Sequence, residues 1–242
     1  MGCRRNGTGR QLLLASAMCV SVSCITIPQS AGTRGPVIAI DPGHPSEVSS
    51  GTEVQNGTTE VHVAWVVALQ LQKRLRDAGY TVVMTKAAEN QLVRNVERAA
   101  IGNRARAALM VRLHCDASSD SGFALYYPDR EGTAEGKTGP SAEVMRRSAA
   151  AAESLHAAMA PLLSGWGEGR LKDGGVRGDS KTLVGSRQGA LTGSVFSEIP
   201  VVLIEMVTLS NAHDARFIKS DEGKDLMARA IADGVRRYVR AK

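Results

Sequence analysis

The chain is predicted to fold as a three-layer α/β domain, with a mostly parallel mixed sheet and helices on both faces. Three observations carry that prediction. Short apolar runs alternate with amphipathic stretches of helical period. The runs lack polar alternation, as expected of strands buried on both faces. Three of them end in a side chain able to bind a metal or move a proton, at the carboxyl end where open α/β sheets collect functional groups.

In order, Val37-Ile38-Ala39-Ile40 is the first strand. The turn chemistry of Asp41-Pro42-Gly43 stops it and leaves His44 at its end. A polar loop from Pro45 to Thr59 follows. Val61, Ala64, Ala68, Leu71, Leu75 and Ala78 recur at three- and four-residue steps, predicting a helix from Glu60 that Gly79 ends. Trp65 and Leu69 border this stripe and are expected in the core. Tyr80–Thr85 is the second strand and Gln91–Ala107 the second helix. Ala108–Leu113 is a strand delivering His114, and Gly122–Tyr127 is another strand. Residues 129–140 read as a loop, Ser141–Leu163 as a helix and Gly165–Ser180 as a glycine-rich connector. Thr182-Leu183-Val184 reads as a short strand. Pro200–Ile204 is a strand delivering Glu205, and a last helix covers Asp221–Val239. There is no internal repeat and no second domain.

Hydrophobic residues make up 43% of the 242 and aromatics only 4%, so the core is built mainly from Ala, Val, Leu and Ile. Arg4, Arg5 and Arg10 precede an apolar run from Leu12 to Ile27, then Pro28, Ser30, Ala31 and Gly32. This layout predicts that residues 1–31 are a signal peptide. The run is shorter than the ~20 residues of a spanning helix. Val20-Ser21-Val22-Ser23-Cys24 resembles a bacterial lipoprotein box, so cleavage before Cys24 with lipidation stands beside plain cleavage around Ala31. Either route exports the protein to the bacterial envelope, and the only expected membrane contact is a lipid at Cys24. Losing the three leader arginines lowers the formal charge from +6 to +3. That excess is spread along helices, which argues against a nucleic-acid partner and is compatible with an anionic envelope polymer. Cys115 would then be alone, without a disulfide.

His44 and His114 offer two nitrogen donors. Glu60 opens the helix leaving the His44 loop and can point back at the strand end. Two imidazoles, one carboxylate and an open position are a usual donor set for catalytic Zn2+. Glu205 is then the catalytic carboxylate, passing a proton from the attacking water to the leaving amine. Cys115 alternates to the face opposite His114 and is expected as a small buried hydrophobe. Asp116 is expected to orient a ligand as an outer acceptor. His62 and His213 read as solvated, and His156 as structural.

The blocks Asp41-Pro42-Gly43-His44, Glu60 before an apolar helix, Leu113-His114-Cys115-Asp116-Ala117 and Pro200–Glu205 with Leu209-Ser210-Asn211 fall in a recognisable order. With Arg98 and Asn103, this order resembles the zinc-dependent N-acetylmuramoyl-L-alanine amidases, the AmiC-like catalytic domain. The resemblance covers about Pro36 to Tyr238 and assigns residues 36–242 to one catalytic domain. It implies zinc on His44, Glu60 and His114, catalysis by Glu205, and hydrolysis of the amide joining muramic acid to L-alanine in peptidoglycan. Pro45-Ser46 stands where the family usually has Gly-Gly, and Val207 where it usually has Gly after the catalytic glutamate. Some relatives carry an inserted helix that blocks the site until a partner removes it. Residues 129–180 are filled by ordinary elements, so a site open without an activator is expected. Two alternatives remain: an inactive peptidoglycan-binding module of the same fold, and a zinc peptidase or amidohydrolase for another acyl–amino acid bond.

Overall fold

The structure, a computed structural model, describes residues 1–2, 35–165 and 170–240. The expected signal peptide and Cys24 lie outside the described residues. Among those described, no helix is long and apolar enough to cross a membrane.

The strands are β1 (Val37–Pro42), β2 (Thr81–Met84), β3 (Leu109–Asp116), β4 (Phe123–Tyr127), β5 (Gly132–Ala134), β6 (Lys137–Gly139), β7 (Asp173–Gly178) and β8 (Val201–Thr208). The helices are α1 (Glu60–Asp77), α2 (Asn95–Arg104), α3 (Ala142–Leu163), α4 (Leu183–Gln188), α5 (Thr192–Val195), α6 (Ala212–Lys219) and α7 (Asp221–Arg240). Six strands form one sheet in the order β2-β1-β3-β8-β4-β7. The first four run parallel, β4 is antiparallel to β8, and β7 runs parallel to β4. The mostly parallel mixed sheet is as the sequence predicts. One face packs against α1, α3 and α7; the other meets α2, with Gly193 of α5 lying against the Arg112 guanidinium.

Local chemistry explains most boundaries. Thr59 caps α1 by accepting from the His62 amide, so the helix opens at Glu60. Ser141 caps α3 through the Val144 amide. α2 is shorter than predicted, because the Glu97 carboxylate accepts from the Arg94 amide at 3.0 Å, closing the helix start, and the Val93 amide donates to the Pro45 carbonyl at 3.2 Å. Residues 91–94 therefore pin the loop after β1 instead of joining the helix.

Four expectations need correction. The 129–140 loop contains the β5–β6 hairpin, and the glycine-rich connector contains β7. β7 is an edge strand, where pairing with β4 substitutes for an apolar side-chain pattern. The predicted strand at Thr182–Val184 is the start of α4, with Thr182 Oγ1 accepting from the Gly185 amide. Leu69 is 42% exposed and Trp65 only partly buried, because the stripe of α1 is narrower than drawn from sequence.

Candidate metal centre and active site

β1 lies between β2 and β3, so the chain winds away from it in opposite directions. The carboxyl ends of β1 and β3 thus flank the crevice where α/β sheets bind ligands. His44 follows β1 and His114 belongs to β3. β3 and β8 continue past His114 and Glu205, so both residues sit within strands and not at their ends. In the β3–β8 register His114 pairs with Glu205, and neighbours so paired project from the same face.

Glu60 bridges the histidines. Its Oε2 lies 3.1 Å from His44 Nε2 and its Oε1 2.8 Å from His114 Nδ1. His44, Glu60 and His114 each offer a donor atom, all within 4.8 Å of one another. The rings meet edge-on at 5.1 Å between centroids. The side chains of His44, Glu60 and His114 keep 12%, 17% and 15% exposure, enclosed yet reachable from solvent. Oε1 also accepts from the Cys115 amide at 3.2 Å. The Ser49 carbonyl faces His44 Nδ1 at 3.1 Å and orients that ring.

Two glycines make room for the rings. A Cβ on Gly43 would stand 2.6 Å from His114 Cε1, so the loop can lie flat on the imidazole only with glycine there. Gly51 has φ +66°, and a Cβ there would stand 2.5 Å from His44 Cβ.

Charge follows from these contacts. Burial raises the Glu60 carboxyl, but the two imidazoles outweigh it and hold it well below the usual carboxylate range. Burial lowers His44, and the hydrogen bond and charge of Glu60 more than reverse this, so His44 is raised. For His114 burial wins and its pKa is lowered. Burial, with the charges of Glu60 and Asp116, pushes Glu205 well above the ordinary range. His114 Nε2 and Glu205 Oε2 are buried without a hydrogen-bond partner. Two imidazoles and a carboxylate, with polar atoms left unanswered beside them, fit a zinc ion.

A buried polar network lies beneath the centre. Asp41 is fully buried, with Oδ1 accepting from Arg98 Nη1 at 2.6 Å and from Thr85 Oγ1 at 2.5 Å. Its Oδ2 accepts from Arg112 Nε at 3.0 Å. Arg112 Nη2 reaches Asn95 Oδ1 at 2.8 Å, and Glu47 accepts from the Asn95 amide at 2.9 Å. Lys86 Nζ donates to the carbonyls of Gly43, His44 and Glu89. Asp41 is therefore an ion-pair centre as well as the strand's end. Two sequence signals point to the network: Arg112 interrupts an apolar strand, and Lys86 closes the second strand just as the histidines and Glu205 mark the others.

Asp116 does not reach a histidine. Its carboxylate accepts from the Ala117 and Ser118 amides and the Ser118 hydroxyl, tightening the turn after β3. Cys115 is buried, as expected. His156 pairs with Asp173 at 2.9 Å, joining α3 to β7, while His62 meets Glu89 at 3.2 Å on the surface.

A three-layer α/β domain whose switch-point crevice gathers two histidines and two glutamates defines a class of protein with a metal-capable centre at the carboxyl edge of its sheet. The chain belongs to the N-acetylmuramoyl-L-alanine amidase family, whose model matches residues 38–237. It is an enzyme of peptidoglycan, as the sequence resemblance implies. It is 26% identical over 252 residues to N-acetylmuramoyl-L-alanine amidase Rv3717 of Mycobacterium tuberculosis, covering 94% of this chain and 95% of that one. It is 26% identical over 227 residues to the amidase AmiC of Neisseria meningitidis, covering 85% of this chain and 53% of AmiC. The chain therefore spans about half the length of AmiC. Among solved structures it shares its fold with the amidase Ami1 of Mycobacterium smegmatis, at TM-score 0.69 and 22% identity, over 86% of this chain and 98% of that one.

Proposed function

We propose that this is an exported zinc amidase. It hydrolyses the amide between the lactyl group of N-acetylmuramic acid and the L-alanine of the stem peptide, with metal on His44, Glu60 and His114 and proton transfer by Glu205. The observation carrying this reading is the convergence of three donors within 4.8 Å beside a carboxyl on the neighbouring strand. A divalent cation held by His44, Glu60 and His114 would supply Lewis-acid activation of the scissile carbonyl and of an attacking water. Glu205 takes the proton from that water and delivers it to the alanine nitrogen as the C–N bond breaks. A carboxyl lifted out of its ordinary range is suited to both transfers.

The longest helix of residues 129–180, α3, packs against α7 on the sheet face, which supports a site open without an activator. Export rests on the leader pattern of residues 1–31, with or without a lipid at Cys24. Mass spectrometry of the mature N-terminus distinguishes these.

The deciding experiment is Glu205→Gln, followed by zinc content and by release of alanine N-termini from purified muropeptides. Zinc should be retained, with turnover lower by about 10²–10⁴-fold. Undiminished turnover removes Glu205 from the mechanism. Wild-type protein that binds zinc without cleaving is a binding module, and cleavage at another amide makes it a different amidohydrolase.

A further inference from the structure

We infer that Lys86 and Arg98 form a clamp on the backbone carbonyls around His44, holding that residue in a left-handed conformation and so fixing the geometry of the metal centre. The inference rests on His44 being a metal ligand, as proposed above.

His44 has φ +51°, a region that side-chain-bearing residues rarely occupy. Such a conformation persists only where its surroundings over-determine it. Here they do. Arg98, 1% exposed, donates from Nη1 to the Pro42 carbonyl at 2.7 Å and from Nη2 to the Pro45 carbonyl at 2.8 Å. Lys86, 2% exposed, donates to the carbonyls between them, Gly43 at 3.3 Å and His44. Every carbonyl from Pro42 to Pro45 therefore accepts from one of two cations.

The same cations anchor this segment to the chain after β2. Lys86 also donates to the Glu89 carbonyl at 2.9 Å, and Arg98 Nε to the Val93 carbonyl at 2.9 Å. An ammonium has three donors, and Lys86 directs all three at carbonyls. Burying a charge in this way is costly unless hydrogen bonds answer it. Arg98 has Asp41 as its counter-charge. Lys86 instead leans on the His44 loop, so any movement of that loop strips a buried ammonium of two of its three carbonyl partners. That coupling makes Lys86 a positioning residue and not a space filler.

Methionine tests this, since it matches the stem of lysine and lacks the donors. Lys86→Met should weaken zinc binding on the order of tenfold, as losses of outer-sphere partners do, measured by chelator competition. In the metal-free protein, hydrogen exchange should speed up by about tenfold at the Gly43 and Ser46 amides, while amides of α3 and α7 stay within about twofold. Those two amides donate to the Leu113 and Ser49 carbonyls, each at 2.8 Å, and report the loop directly. Lys86→Arg should restore most of both. Unchanged exchange at Gly43 and Ser46 overturns the clamp, as does faster exchange spread evenly through α3 and α7. Wild-type protein that binds no zinc overturns the metal reading instead, and the exchange measurement, which needs no metal, still decides the clamp.

Discussion

On the side of the sheet covered by α1, α3 and α7, Ile38, Ile40, Val111, Leu113, Val202 and Ile204 are wholly buried among apolar side chains. On the other side the apolar patch shrinks to Ala39, Met110 and Val201 with Ala107 and Ile199, and charge takes over toward the carboxyl edge. Alternation along a single strand divides the two. In β3, Leu109, Val111, Leu113 and Cys115 enter the large core, while Met110, Arg112 and His114 face the other way. The large core stabilises by area removed from water, at about 25 cal/mol per Å². The charged side contributes little net stability, since desolvation offsets its ion pairs. What it provides is fixed geometry around His44 and His114. One face holds the fold and the other holds most of the site, with Glu60 reaching it from the start of α1.

The sharpest way to break that division is Asp41→Asn. It leaves Arg98 and Arg112 buried without their shared counter-charge, and a loss of about 3–5 kcal/mol is expected. Urea unfolding measures it, and zinc affinity should fall with it, because Arg98 also holds the His44 loop. The same pair predicts an acid limb. Burial raises Asp41, but the two guanidiniums and Thr85 outweigh it and hold it well below its ordinary 3.8. The unfolded chain then takes up this proton at higher pH than the folded one. The contribution of Asp41 is complete above about pH 5 and is lost progressively as pH falls below that, at up to about 1.4 kcal/mol per pH unit. Equal acid sensitivity in wild type and Asp41→Asn would mean that other carboxylates govern the limb.

Leu155→Ala probes the dry face. Leu155 is wholly buried in α3, where Gly234 of α7 approaches so closely that a Cβ there would stand 2.6 Å from Leu155 Cα. Truncation should cost about 2–5 kcal/mol through lost transfer energy and a cavity. Zinc affinity of the folded fraction should stay within about twofold, since α3 supplies none of the three donors. A parallel loss of metal binding would show that the two faces do not act separately.

How far the sequence revealed each face follows the same division. The dry face was legible because its signals are local: apolar runs for strands and a three- and four-residue step for α1. His44, His114 and Glu205 were legible as polar interruptions at equivalent places in buried strands. In the sequence Asp41 shows only as a strand stop, because its partners lie 57 and 71 residues away and no local pattern links them. β7 was hidden for a related reason. Asp173-Gly174-Gly175-Val176-Arg177-Gly178 has no apolar repeat, and its pairing with β4 is a tertiary event.

The smallest expected effect lies where the dry face meets water. Leu69 sits on α1 two residues before Leu71, which is wholly buried, yet Leu69 is 42% exposed. Helical geometry turns the two side chains about 200° apart, so one helix presents one leucine to the core and the other to solvent. Leu69→Gln should therefore change unfolding stability by less than about 0.5 kcal/mol. Leu71→Ala, in the same helix, should cost about 2–5 kcal/mol. If Leu69→Gln instead cost as much as Leu71→Ala, the outer side of α1 would be covered in solution and the large core would extend beyond the helix layer.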